Sequence, residues 1–293
     1  MTKIAPYIGI ILILSAINAY LWILNEDAQE RRFADLQLLI NSINAATRPP
    51  IKTNEISQAF IEWYKHQALE RAQYLKTNAT LNLFNILAPE AYCPRIRLGS
   101  IFDGGKWACD PINIQNGCAI FSLGINGNPS FEKDIQYYTN MRCKIYGYDK
   151  EADTISSGVY RSINGLSRGK TIGAVTNEDS NTISLEDLMK LEGVDSIEIL
   201  KVDIEGAEYE VVIPFLEKHS VCQILIEIHI DGKSTNYDKV KGLLIQIAKL
   251  DYFLFNFEIN PFSPFTATEF SLIHRSCFQR YRAVEIARYL NNV

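Results

Sequence analysis

The chain opens on a continuous apolar stretch. Residues 4–24 carry no charged side chain, and Ser15 and Asn18 are their only strongly polar members. About 20 such residues make a helix long enough to cross a bilayer. Lys3 precedes the stretch, Glu26, Asp27 and Glu30 follow it, and Arg31 and Arg32 come only later. That order of charges favours a cytoplasmic N-terminus and a lumenal remainder. A cleaved signal peptide is the rival reading, with residues 8–14 as its apolar core and Ala19 at the cleavage position. Either reading sends the rest of the chain into the secretory pathway.

Residues 25–92 change period. Phe33, Leu36, Leu39, Ile40 and Ile43 recur at helical spacing until Arg48-Pro49-Pro50 stops that helix. Ile56, Phe60, Trp63 and Tyr64 mark a second amphipathic stretch. The region reads as a helical stem that packs partly on the C-terminal domain, and Pro89 and Pro94 punctuate its end. From residue 93 to 293, short apolar runs alternate with helical patterns. Strands are expected at 119–123, 144–148, 159–163, 197–202, 223–228, 253–257 and 269–273. Helices are expected at 131–139, 185–191, 208–216 and 237–250. Such alternation implies an α/β architecture, a mostly parallel sheet covered on both faces. Ligands of such sheets sit at the carboxyl ends of the strands.

Composition narrows the class. Of 293 residues, 47% are hydrophobic and 22% charged, which excludes a disordered chain, a collagen and a coiled-coil rod. With 29 basic against 34 acidic residues the net charge is -5, so no nucleic-acid partner is expected. The six cysteines form no C-x-x-C pattern and hence no zinc site. In an oxidising lumen they can pair, and Cys93 with Cys109, which bracket a Gly-rich stretch, is the pair expected first. Asn78-Ala79-Thr80 is a glycosylation sequon.

Candidate chemistry sits just after the strands. The first runs into Gly124-Ile125-Asn126-Gly127, whose glycines let a backbone turn approach a ligand closely. The second ends at Asp149, 25 residues after Gly124, where a carboxylate can accept hydrogen bonds from ribose hydroxyls. The fourth ends at Asp203-Ile204-Glu205-Gly206-Ala207-Glu208. Asp203 and Glu205 can accept a proton or hold a divalent metal through oxygen. Glu208 opens the next helix and suits the positive end of its dipole. In the fifth, alternation puts Glu227 and His229 on one face. A charge in so apolar a run usually has a partner, which makes Glu227 a further candidate metal ligand. His229 is a candidate base because imidazole titrates near neutrality; a hydrogen-bonded structural histidine is the plainer reading.

Lys201-Val-Asp203-Ile-Glu205-Gly206-Ala-Glu208 resembles the signature of FkbM-type S-adenosylmethionine-dependent methyltransferases, and Leu185-Glu186-Asp187-Leu188 their short leucine-acidic segment. The chain resembles more closely still the animal methyltransferase-like 24 group and its nematode relatives. The resembling features are Asp103-Gly104-Gly105-Lys106-Trp107-Ala-Cys109, Phe121-Ser122-Leu-Gly124-Ile, Ser130-Phe131-Glu132, Cys143-Lys-Ile-Tyr-Gly-Tyr-Asp149, Gln223-Ile-Leu-Ile-Glu227-Ile-His229 and Glu269-Phe-Ser-Leu-Ile. They run in order over residues 93–277. The resemblance implies a class I methyltransferase fold, a Rossmann-like seven-stranded sheet with a C-terminal antiparallel hairpin. It implies S-adenosylmethionine as methyl donor and O-methylation as the reaction. It places Ser122, Gly124, Asn126 and Gly127 at the cofactor turn, Asp149 at the ribose, and Asp203 and Glu205 at the reaction end. Ser122 stands where methyltransferases commonly carry an acidic residue.

The expectation is a three-part chain: an anchor at 1–24, a stem at 25–92 and a methyltransferase domain at 93–293. It would be a single-pass type II membrane protein of the endoplasmic reticulum or Golgi, secreted if the first segment is cleaved. Its acceptor would be a hydroxyl-bearing small molecule, glycan or lipid, with Asp203 or His229 taking the proton. Anchor, stem and α/β domain also suit a lumenal glycosyltransferase, with Asp203 and Glu205 holding a divalent metal. A catalytically inactive binding relative is the third reading.

Overall fold

The structure, a computed structural model, describes residues 58–77, 83–151, 154–230, 237–263 and 266–293. All belong to one unit, Pro49–Val293. The apolar stretch 4–24, the first stem helix and the sequon at Asn78 lie outside the described residues. Among the described residues, no helix is long and apolar enough to cross a membrane.

Helix α1 (Gln58–Lys76) and one turn, α2 (Leu83–Ile86), lead into strand β1 (Ala91–Tyr92) and a hairpin of β2 (Arg95–Leu98) and β3 (Lys106–Cys109). The α/β core comes next: β4 (Ala119–Leu123), α3 (Ser130–Thr139), β5 (Lys144–Asp149), α4 (Thr154–Ser162) and β6 (Gly165–Gly169). Two short paired strands, β7 (Thr171–Ile172) and β8 (Thr182–Ile183), precede α5 (Leu185–Glu192). The chain continues through β9 (Ile199–Val202), α6 (Glu208–Leu216), β10 (Gln223–His229), α7 (Asp238–Lys249), β11 (Tyr252–Ile259), β12 (Ala267–His274) and β13 (Val284–Glu285). Seven strands form the main sheet in the order β11-β12-β10-β9-β4-β5-β6. Six run in one direction, five of them as parallel neighbours; β12 inserts antiparallel between β10 and β11. This is the class I methyltransferase arrangement with its antiparallel C-terminal hairpin.

Alternate strand residues feed two cores. Phe121, Leu123, Leu200, Val202, Ile226 and Ile228 face α5, α6, α7 and the stem helix α1. Ile120, Ile145, Ile199 and Leu225 face α3 and the β2–β3 hairpin. Three disulfides close this second layer: Cys93–Cys109, Cys118–Cys143 and Cys222–Cys277. The first was expected from the sequence and the other two were not. Cys118 and Cys143 just precede β4 and β5, and Cys222 just precedes β10. Cys109 exchanges two hydrogen bonds of 2.8 Å with the Gln223 side chain. All three bridges therefore sit at the amino end of the parallel strands, away from their carboxyl tips.

Two expectations are corrected here. Residues 159–163 do not form a strand: they end helix α4, and the strand is Gly165–Gly169. Tyr160 and Ile163 are three apart and both buried, which helical spacing satisfies as well as a strand would. As an edge strand reading Gly-Leu-Ser-Arg-Gly, β6 has no apolar run to announce it. In α1, Phe60 and Trp63 point outward, 47% and 63% exposed, while Ile61, Ala68, Ala72 and Leu75 are buried. Two alanines on the inner face let the helix lie close to the core, and of the aromatic stripe only Tyr64 packs partly against it.

Candidate active site

At the carboxyl tips of β4, β5, β9 and β10 lies a cleft of about 470 Å³. Gly124, Asn126, Gly127, Asp149, Asp203, Glu205, Glu227 and His229 all line it. Seven of the eight cofactor and catalytic residues expected from the sequence are thus brought together.

Ser122 is the exception, and its assignment to the cofactor turn is corrected. It is fully buried inside β4, and its hydroxyl donates to Glu132 of α3. Alternation along the strand turns it, with Ile120, toward the helix layer rather than toward the tip.

The cofactor end is made of backbone. Gly124 has a φ of 76°, and a Cβ added there would lie 1.7 Å from the Asp203 carbonyl oxygen. The missing side chain therefore serves the approach of the β4 and β9 tips. Gly127, at φ 65°, has open space where its Cβ would be. Asp149 accepts from the amides of Ile125 (2.9 Å) and Asn126 (2.8 Å) through Oδ2, and from Glu151 (2.9 Å) through Oδ1. Three of a carboxylate's roughly four acceptor positions are taken, leaving one for a ribose hydroxyl. Lys201 Nζ donates to the Gly124 carbonyl at 2.7 Å and locks the turn from below.

The reaction end is made of charge. Glu227, Glu269 and Glu258 stand in one row, directly opposite one another across β10, β12 and β11. Like charges so placed repel. The β2–β3 hairpin covers the row with partners. Arg97 and Trp107 bond Glu258, the indole N–H at 2.6 Å. Lys106, 1% exposed, donates to Glu269, to Glu227 at 3.4 Å and to Asp203 at 3.5 Å. Asn260 donates to both Asp103 (3.1 Å) and Glu227 (2.8 Å).

His229 Nδ1 lies 2.9 Å from Oε1 of Glu208, which is wholly buried and also accepts from the Ile204 amide. Nε2 lies 3.8 Å from Asp203 and 3.5 Å from Glu205. Burial alone would lower the imidazole pKa, but the Glu208 hydrogen bond and the charges of Glu208, Asp203 and Glu227 outweigh it and raise it to about 9. The surroundings of His229 therefore favour its protonated form. At pH 7 it is an imidazolium, with no lone pair for a substrate proton. Burial would raise Asp203, but Lys106, Lys201 and His229 hold its carboxyl below the usual carboxylate range. Burial, helped by neighbouring Glu227, pushes Glu269 up to about 8 despite the opposing charge of Lys106. Asp203 is thus an ionised carboxylate on the cleft wall.

Among the described residues, Asp203, Glu205 and His229 each offer one ligand atom within 4.8 Å of the others. A divalent cation there would have to displace the imidazolium proton that already balances the two carboxylates. Glu227 is not part of this group; Lys106 (3.4 Å) and Asn260 (2.8 Å) each donate to one of its oxygens.

A family model described as a methyltransferase domain matches residues 52–274. The chain belongs to this methyltransferase family. The glycosyltransferase alternative is corrected by that match. Among curated protein sequences no relative matches the chain. Solved structures of similar fold include Aeropyrum pernix fibrillarin with natively bound S-adenosyl-L-methionine, at 14% identity and TM-score 0.39 over 56% of this chain and 68% of that one. The Methanococcus jannaschii fibrillarin pre-rRNA processing protein is similar at 11% identity and TM-score 0.40 over 64% and 95%. So is M. capricolum TrmK with S-adenosyl-homocysteine, at 11% identity and TM-score 0.34 over 56% and 66%. At these values the likenesses carry no argument about activity or substrate.

The methyl donor expected from the sequence, S-adenosylmethionine, fits this cleft. Asp149 keeps an acceptor for the ribose, and Gly127 leaves room beside it. Six lining carboxylates face only three lining cations, Lys150, Lys170 and His229, an excess suited to a sulfonium. Sequence reasoning missed Lys106, Asn260 and the buried role of Glu208. Lys106 carried a signal: an ammonium directly after Gly104-Gly105 and before an apolar Trp-Ala-Cys strand. Asn260 carried none, because its role exists only where β11 turns back beside Asp103.

Proposed function

We propose that the chain is an S-adenosylmethionine-dependent methyltransferase of the secretory pathway that acts on a hydroxyl oxygen. The observation that carries this reading is Asp203: a carboxylate held ionised on the cleft wall, immediately beside the Gly124 turn. Bound S-adenosylmethionine would supply an electrophilic methyl group. A carboxylate held low is a weak base, so its main work is positional. It accepts the hydroxyl's hydrogen bond, aims an oxygen lone pair along the cleft, and takes the proton as transfer proceeds. His229, as imidazolium, keeps Asp203 ionised and is held in place by Glu208. The acidic lining disfavours phosphate-rich acceptors and supports a neutral hydroxyl on a glycan, lipid or small molecule. Three buried disulfides and the apolar stretch 4–24 support a lumenal type II placement.

The test is transfer of label from methyl-labelled S-adenosylmethionine to glycan, lipid, small-molecule and RNA fractions of source cells. Label in the first three, on oxygen, is the expected result. Label in RNA overturns the acceptor class, and binding without transfer favours the inactive relative. Placement is tested in intact microsomes. Residues 90–293 should resist protease, and Asn78 should carry a glycan removed by endoglycosidase; accessibility with no glycan shift overturns the lumenal reading.

A further inference from the structure

Lys106 lies outside the methyltransferase sheet, on a hairpin tied down by Cys93–Cys109 and by Arg97 on Glu258. It is almost completely buried, yet its ammonium meets three carboxylates from three different strand ends. Two of them, Asp203 and Glu227, line the cleft; Glu269 does not. Two cleft carboxylates sharing one cation is an arrangement that burial alone would not tolerate, because each would repel the other and protonate. A structural ion pair would need one carboxylate, not three. Asn260 also donates to Glu227, but it carries no charge.

We propose that Lys106 is a positioning residue for methyl transfer, holding Asp203 and Glu227 side by side as the pair that receives the acceptor's hydroxyl. It touches neither the cleft surface nor substrate, and acts through these two carboxylates. The pair then accepts two hydrogen bonds from one acceptor, from the reacting hydroxyl at Asp203 and from a neighbouring donor at Glu227. This assignment rests on the proposed methyl transfer to a hydroxyl. Asp203 is faced by Lys106 from β3, by Lys201 on its own strand, by Glu227 and His229 from β10, and by Glu205 from the next loop.

The single variant Lys106→Met strands three carboxylates and risks unfolding. Lys106→Met combined with Glu269→Gln removes the excess charge away from the cleft, and is measured against Glu269→Gln alone. The double variant should melt like that control. In ¹³C NMR its Asp203 carboxyl should titrate about one pH unit higher. Label transfer from S-adenosylmethionine to the responding acceptor fraction should fall ~10-fold or more, with KM for S-adenosylmethionine unchanged. A mere packing role would restore transfer along with stability. Transfer equal to the control, or an unmoved Asp203 titration, overturns the proposal. A wild-type protein that transfers nothing overturns the functional reading instead, while the titration still decides for or against Lys106.

Discussion

At the tips of β4 and β5 the cleft wall is backbone, held by neutral amides donating to Asp149 from residues 24 and 23 positions away. At the tips of β9 and β10 the wall is side-chain charge, and Lys106 reaches its partners across 97, 121 and 163 positions. The first half is a local motif that the consecutive β4–α3–β5 unit can build. The second requires the hairpin, the central strands and the C-terminal hairpin to be in place together. Under the proposed function, the difference teaches that binding a cofactor and orienting an acceptor are separable demands. One is met by turn geometry and the other by burying a cation among carboxylates.

The sharpest way to break that division is Asp203→Asn. It keeps size and most hydrogen bonding but loses the charge. Transfer should fall ~10²–10⁴-fold while S-adenosylmethionine affinity, measured by calorimetry, stays within a few-fold. Near-normal turnover would remove Asp203 from the reaction. Replacing both Cys93 and Cys109 by serine attacks the same half from a distance. A bridge across a sequence separation of 16 contributes about 3 kcal/mol in the loop-entropy account, so denaturant midpoints should fall correspondingly. Transfer should weaken more than cofactor binding, because the bridge anchors the hairpin that carries Lys106.

The cofactor half is probed by Asp149→Ala. It frees three amides and removes the remaining ribose acceptor, so S-adenosylmethionine affinity should drop about tenfold or more. Asp149→Asn keeps one acceptor oxygen and should lose less; unchanged calorimetric affinity in both would detach Asp149 from the cofactor. The smallest effect is on stability against pH. His229 is raised from 6.5 to about 9 and Glu269 from 4.5 to about 8. Both raised groups contribute stability that is complete below their unfolded values and is lost as pH climbs through the folded ones. Melting temperature should therefore decline between about pH 4.5 and 9. His229→Gln should flatten the upper part of that decline and Glu269→Gln the lower. An unaltered slope in both would show that neither group is shifted.

Most of the sheet was legible because its strands are continuous apolar runs, and six of the seven expected ranges matched observed strands. The edge strand β6 was not, since one exposed side and a polar sequence leave no run to read. Gly124, Asp149, Asp203 and Glu205 were legible as tip residues because each lies at or within three residues of the end of a strand, where chain order alone puts a residue at a tip. Ser122 misled because strand position says nothing of facing direction until the register is known. His229 could be read as a residue at a strand tip, but its contact with Glu208 could not, since that partner comes from the preceding helix.

The sequence by itself determined the strand order's raw material, the tips at which chemistry could sit, and an excess of carboxylates there. Which carboxylates stay charged was decided only by the tertiary structure. Local propensity and periodicity act between near neighbours along the chain. A buried ion pair depends instead on which distant side chains share a low-dielectric space, and that is settled only once the hairpin closes Lys106 over Asp203, Glu227 and Glu269.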